Sequence, residues 1–341
     1  MDEIRQSGNI RTYTGRFAAK SSLVLVLALC SSGCRSKSPA RIAFIPQTDG
    51  TMNWEAAHVG AEIAASRTGS VIYWNAPTRE DDVEAQIALV DRVVDSGYRG
   101  LVLAPDQALS LISPVRRALA HGIPTVVIGS PLQIPAGGDL FYILNDDQEG
   151  GRLAAKRVGE VLHGHGTVAI LGINPDVTGT LIRARAFEKF LAEHYSGIQI
   201  VDRRLGSYNF PHEQQVAEDT LRAHPDLDVI VDLMSPSVDG TLSALNAAPT
   251  RRAIRVVGFD VTGWPIFQRS PNLDCVIQAN TLSMGRQAIQ LIESRLNGQT
   301  VPSVISLPPK LITQANANSD EVREMLSQDW TLGRRQWSSS Q

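Results

Sequence analysis

From residue 41 onward, short apolar runs alternate with longer segments of helical periodicity, and this alternation restricts the fold more than any other feature of the chain. Residues 42–46, 70–74, 100–103, 125–128 and 140–144 read as strands, with helices over 53–66, 80–96 and 109–121 between them. The helix at 80–96 has the clearest pattern: Val83, Ile87, Val90 and Val94 recur at helical spacing, and Gly97 supplies the stop. The cycle then restarts with helices over 149–162, 180–195, 212–223 and 238–247 alternating with strands over 167–172, 198–204, 227–233 and 254–259. Strand 275–278, helix 282–296, strands 305–307 and 311–313 and helix 319–327 follow. The runs do not alternate apolar with polar, so both faces of each strand are covered, as in parallel sheets joined by right-handed crossovers. The expected fold class is α/β, built from two doubly wound units of about a hundred residues each.

Residues 1–40 break the pattern. Arg5, Arg11, Arg16 and Lys20 precede the apolar run LVLVLALC at 23–30, and Ser31, Ser32, Gly33 and Cys34 follow it. A membrane-spanning helix needs about 20 apolar residues, far more than this run holds. A basic lead, a short apolar centre and small residues read instead as a signal peptide over 1–33. The stretch ending in Cys34 resembles the lipobox of bacterial lipoproteins, with Ser31 where that motif prefers leucine. The resemblance implies lipid on the Cys34 thiol, a linker over 34–40 and a folded part held at the periplasmic or cell-envelope face of a membrane. Cys275 is flanked by Val276 and Ile277 and reads as a buried strand thiol.

Charge and motifs exclude several function classes. The 32 Lys and Arg residues nearly balance 35 Asp and Glu, a net charge of −3, so no basic field exists to bind nucleic acid. The glycine-rich phosphate loops of nucleotide enzymes are missing, as is the G-x-S-x-G elbow of hydrolases. His212-Glu213 starts like a zinc motif, but Val216 stands where the second imidazole belongs. The His163-Gly164-His165-Gly166 stretch reads as a surface turn. Asp146-Asp147 and Asp260 offer carboxylates for acid–base work, yet no partner with a nucleophile's surroundings accompanies them. The expectation is a binding protein, not an enzyme, with no cofactor and no metal.

In doubly wound sheets, ligands bind beyond the carboxyl ends of the strands. The loops there carry 47–54, Asn75, Pro105-Asp106, Gly129-Ser130, 145–147, Asn174, 207–210, Met234-Ser235, Asp260 and 278–280. They are rich in carboxylates, amides, hydroxyls and aromatics. Planar polar groups fix adjacent hydroxyls, and an aromatic face covers the C–H side of a sugar ring, so a polyhydroxylated ligand suits them.

Several stretches together resemble the type I periplasmic binding proteins of the ribose/galactose-binding group: RIAFIP at 41–46, GLVLAPD at 100–106, GIPTVVI at 122–128, NDDQEGGRLA at 145–154, TLIRARAF at 180–187, HPDLDVI at 224–230 and VVGFD at 256–260. The resemblance implies two lobes joined by a three-crossing hinge. The first lobe takes 41–145 plus 280–307, the second 146–279 plus 308–330, and 331–341 is a tail. It implies that a monosaccharide or related polyol is captured between the closing lobes and handed to an ABC-type import permease in the membrane. A ligand sensor feeding a signalling partner is the alternative. A regulator's effector domain is disfavoured, since residues 1–40 carry no helix-turn-helix pattern. The ligand-binding residues implied are Thr51, Asn53 and Trp54 in the first loop, Ser130 after the fourth strand, Asp146 at the first crossing, Arg183, Tyr208, Phe210, Ser235 and Asp260 in the second lobe, and Gln278 and Asn280 at the second crossing. Gly129-Ser130, Ser235-Pro236 and Ala279 depart from residues that grip ribose in the family, which argues for a different sugar or polyol.

Overall fold

The computed structural model describes residues 39–247, 253–260, 267 and 270–329. The expected leader, Cys34, nearly all of the spacer before residue 41 and the tail at 331–341 lie outside the described residues.

Strands β1 (Arg41–Ile45), β2 (Val71–Trp74), β3 (Gly100–Leu103), β4 (Thr125–Gly129), β5 (Leu140–Asn145) and β11 (Val304–Leu307) form one parallel sheet in the order β11-β5-β4-β3-β1-β2. Strands β6 (His165–Ile173), β7 (Gly197–Leu205), β8 (Val229–Asp232), β9 (Arg255–Phe259), β10 (Leu273–Gln278) and β12 (Lys310–Thr313) form the second, in the order β12-β10-β9-β8-β6-β7, with β12 antiparallel to β10. Each sheet is the centre of one lobe.

Helices cover both faces of both sheets, which is why the strands read as unbroken apolar runs. In the first lobe, α1 (Met52–Thr68) and α8 (Thr281–Leu296) pack Ala57, Ala61, Met284 and Ile289 against Phe44, Val102 and Val126. On the opposite face, α2 (Val83–Asp95) and α3 (Ile112–Ala120) set Val90, Val93 and Val115 against Ile45, Leu101 and Val127. In the second lobe, α4 (Asp147–Val161) and α5 (Thr178–His194) bury Val158 and Phe187 against Ile170 and Val231, and α6 (Phe210–Ala223) and α7 (Ser235–Ala247) cover the other face. A short α9 (Asp320–Met325) follows β12. Helices α1 and α8 approach so closely that a Cβ on Gly60 would stand 1.9 Å from the Leu282 carbonyl oxygen, and one on Gly285 1.9 Å from that of Ala57.

The chain passes between the lobes three times: between β5 and α4, between β10 and α8, and between β11 and β12. Two of these passages are fixed by helix caps. Asp146 accepts from the Glu149 amide at 2.9 Å to start α4, and Asn280 accepts from the Ser283 amide at 3.0 Å to start α8. Helix boundaries differ from the periodicity where side chains cap. The segment expected as helix from residue 80 begins only at Val83, because Asp82 accepts from the Ala85 amide and Asp81 takes a left-handed φ of 68°. Cys275 is fully buried, and burial pushes its thiol well above the ordinary range.

Candidate functional site

The carboxyl ends of both sheets meet around a cavity of about 100 Å³. Its first-lobe wall comes from the β1–α1 loop (Gln47, Thr51, Asn53, Trp54), the loop before α2 (Glu80), the end of β4 (Ile128, Gly129, Ser130) and Asn145 at the end of β5. Its second-lobe wall comes from the start of α5 (Gly179, Thr180, Arg183), the β7–α6 loop (Tyr208), Met234 and Ser235 after β8, and Asp260 after β9. Ala279, in the second passage, joins the two walls. A second groove of about 380 Å³ lies against α8, the β11–β12 passage and α9. It is larger but more open, and its Lys310 is already paired with Glu321. The interlobe cavity is therefore the better candidate.

Arg183 organises the second-lobe wall. Its Nε donates to Asp147 Oδ1 at 2.7 Å, and its Nη1 donates to the Leu233 carbonyl at 2.8 Å and to Asp260 Oδ2 at 3.1 Å. The guanidinium also lies over the Phe259 ring, 4.6 Å from its centre. Burial disfavours its charge, but the two carboxylates more than compensate and keep it protonated. Asp147 answers in the other direction: burial pushes its carboxyl above the usual range even though Arg183 pulls it down. Asp260 holds a left-handed φ of 53°, uncommon for a residue with a side chain, and its Oδ1 accepts from the Ala279 amide at 3.0 Å. One aspartate thus ties the guanidinium to an interlobe passage. Asp147 and Asp260 grip the same cation from two sides.

The first-lobe wall is held from across the hinge. Gln278, fully buried, donates from Nε2 to Asn53 Oδ1 at 2.6 Å. Trp54 is nearly buried, and its ring tip lies against Gly129, whose left-handed φ of 80° favours glycine at the end of β4. Two buried polar atoms on this wall, Thr51 Oγ1 and Asn145 Oδ1, have no hydrogen-bond partner among the described residues. Buried polar atoms left unsatisfied carry a desolvation cost, so their presence on a cavity wall marks positions where a bound polar group would be stabilised.

At one end stand Gln47, Glu80 and Tyr208, with Asp106 adjoining. Gln47 donates from Nε2 to the Pro105 carbonyl at 2.9 Å. Tyr208 is half-buried overall, but its hydroxyl end is enclosed beside the Gln47 amide; burial, together with the charges of Glu80 and Asp106, pushes the phenol above its usual range. Burial pushes the Glu80 carboxyl up to about 7. Asp106, 2% exposed, is pushed up to about 8 by burial first and by Glu80 next, against the opposing pull of a hydrogen bond from the Asp81 backbone amide.

Of the residues expected from the sequence, Thr51, Asn53, Trp54, Ser130, Arg183, Tyr208, Ser235 and Asp260 line this cavity. The other four stand elsewhere. Asp146 spends its carboxylate on the α4 cap, Phe210 is 42% exposed at the start of α6, Gln278 sits behind Asn53, and Asn280 caps α8 and faces the second groove. The sequence reading missed Glu80, which it placed inside a helix. Asp82 was the available signal, since an aspartate just before an apolar periodic segment favours a cap there and leaves residue 80 in the loop.

Comparison with known proteins bears on this geometry. The family described as periplasmic binding protein domain matches residues 42–300. The ribose import binding protein of Bacillus subtilis is 24% identical over 236 residues, 69% of this chain and 75% of that protein. The D-apiose import binding protein of Paraburkholderia graminis is 26% identical over 242 residues, 70% of this chain and 76% of its own length. Among solved structures, an ABC transporter solute-binding protein from Agrobacterium vitis, bound with alpha-D-tagatopyranose, superposes with a TM-score of 0.77 at 22% identity, over 84% of this chain and 98% of that one.

Proposed function

The chain belongs to the periplasmic binding protein domain family, and from that premise we propose that it is a solute receptor that captures a monosaccharide or related polyol between its two lobes. The observation that carries this reading is the interlobe cavity. It presents an aromatic face at Trp54, a charged fork at Arg183 and Asp260, and buried unpartnered atoms at Thr51 and Asn145. Such a wall stabilises a compact ligand that offers hydroxyls to both lobes and a C–H face to the indole.

The three passages act as the hinge. A ligand that touches both walls binds the closed form better than the open one, and this difference in affinity shifts the population toward closure. The closed, loaded receptor then docks on an ABC-type import permease. The import roles in the names of the ribose and apiose relatives support this step. The sequence at 23–34 supports an extracytoplasmic location with lipid on Cys34 as the anchor. The receptor role requires no chemistry on the ligand, and no cofactor is assigned to it. A thermal-shift screen against monosaccharides and polyols, followed by calorimetry, tests the reading, because a ligand that binds only the folded protein raises its melting temperature by mass action. The expected result is one-site binding of at least one of them; a flat response across the screen contradicts it.

A further inference from the structure

The charges around the cavity do not balance. Arg183 is the one cation among the described lining residues, and it is committed to Asp147, Asp260 and the Leu233 carbonyl. At the other end, Glu80 lines the wall with Asp106 adjoining. Among the described residues neither carboxylate has an ion-pair partner, and Asp106 is almost wholly buried behind the wall that Glu80 lines. The groups around them add to the imbalance. Asp81 and Asp82 come from the same loop, with Asp82 already paired to Arg79, and from the second lobe comes the enclosed Tyr208 hydroxyl. The cavity thus offers an uncompensated acidic end and no free cation.

Resting on the receptor reading above, we propose that the Glu80 end of the cavity receives a protonated amine of the ligand, so that this receptor takes amino sugars or amino polyols. An ammonium brings the charge this end lacks and several N–H donors for Glu80 and the oxygen of Tyr208 beside it. A hydroxyl brings one donor and leaves the Glu80 carboxylate uncompensated. Charge-assisted hydrogen bonds inside an enclosed site are the stronger kind, and an ion pair completed there removes the cost of a buried lone charge. The same accounting disfavours phosphorylated or uronic ligands, which would add negative charge to a wall whose single cation is already bound.

Calorimetry on the full chain, at pH 5.5 and 7.5, with D-galactosamine against D-galactose and 1-amino-1-deoxy-D-sorbitol against D-sorbitol, tests the proposal. At pH 7.5 an amine binds at least about tenfold tighter than its neutral counterpart. Because that binding needs Glu80 ionised and its carboxyl titrates near 7, the amine's affinity falls roughly 20-fold at pH 5.5. Glu80→Gln removes both the preference and the pH dependence. The titration of the unaltered protein carries the test even if that variant folds poorly. Neutral compounds binding as well as or better than the amines overturn the proposal while leaving the receptor reading in place, as does an amine preference indifferent to pH and to Glu80→Gln. Binding of none of the four overturns the proposal, while the receptor reading stands or falls on the broader thermal-shift screen.

Discussion

Replacing Arg183 by alanine removes the one cation shared by Asp147 and Asp260. The Asp147 side chain is 5% exposed and that of Asp260 14%, so neither can recover full hydration when the guanidinium goes. Removing one partner of a buried ion pair costs about 3–5 kcal/mol, and the empty space beside Phe259 adds to it. At roughly 2–4 °C per kcal/mol for a domain of this size, melting should fall by about 6–20 °C near neutral pH. The pH dependence gives the argument its sign. Without Arg183, the folded-state pKa of Asp147, already raised by burial, climbs further above its unfolded value near 3.9. The cost is then absent below about pH 4 and grows as pH rises through the folded value. Urea denaturation of the variant and the parent at pH 5 and pH 8 should show the larger deficit at pH 8. A deficit below about 1 kcal/mol, or one larger at pH 5, would refute the view that Arg183 neutralises two buried carboxylates.

Other outcomes follow from the same structure. Gly60→Ala places a methyl 1.9 Å from the Leu282 carbonyl oxygen, so α1 and α8 must separate; a loss of about 1–3 kcal/mol, read by thermal melting, is expected. Asp232 is fully buried, with Ser237 and Thr241 on Oδ1 and nothing on Oδ2, and burial pushes its carboxyl up to about 8. Because that folded value lies above the unfolded one, this group's contribution to stability declines as pH rises from about 4 to 8. Asp232→Asn should flatten that decline in denaturation curves at pH 5.5 and 8, and an unchanged slope would show that the carboxyl is not raised. Trp54→Ala removes the aromatic face and should weaken binding of the sugar found by screening by about 1–3 kcal/mol, measured by calorimetry.

The fold was legible because strands covered on both faces leave runs of apolar residues that no exposed segment would carry, as at Phe44, Val102 and Val231. Helix ends were less so. Asp82 and Asp81 decide where α2 begins through a side-chain cap and a left-handed backbone, neither of which hydrophobic periodicity records. Glu80 disappeared from the site for that reason. Other polar side chains carry chemistry that serves two ends. Asp146 and Asn280 are residue types that hold hydroxyls, and the same types cap helices, as these do. In the β7–α6 loop, Tyr208 turns into the cavity while Phe210, two residues on, faces solvent; residue type alone cannot distinguish such neighbours.

A receptor of this kind holds one ligand against both lobes at once. Hydrogen exchange on the full chain, with and without a saturating sugar identified by thermal shift, tests it most directly. Exchange should slow in segments from both walls, at 47–54 and 128–130 in the first lobe and at 178–183, 207–210 and 258–260 in the second. Slowing confined to one lobe, or centred on the groove around Arg286 and Lys310, would contradict it.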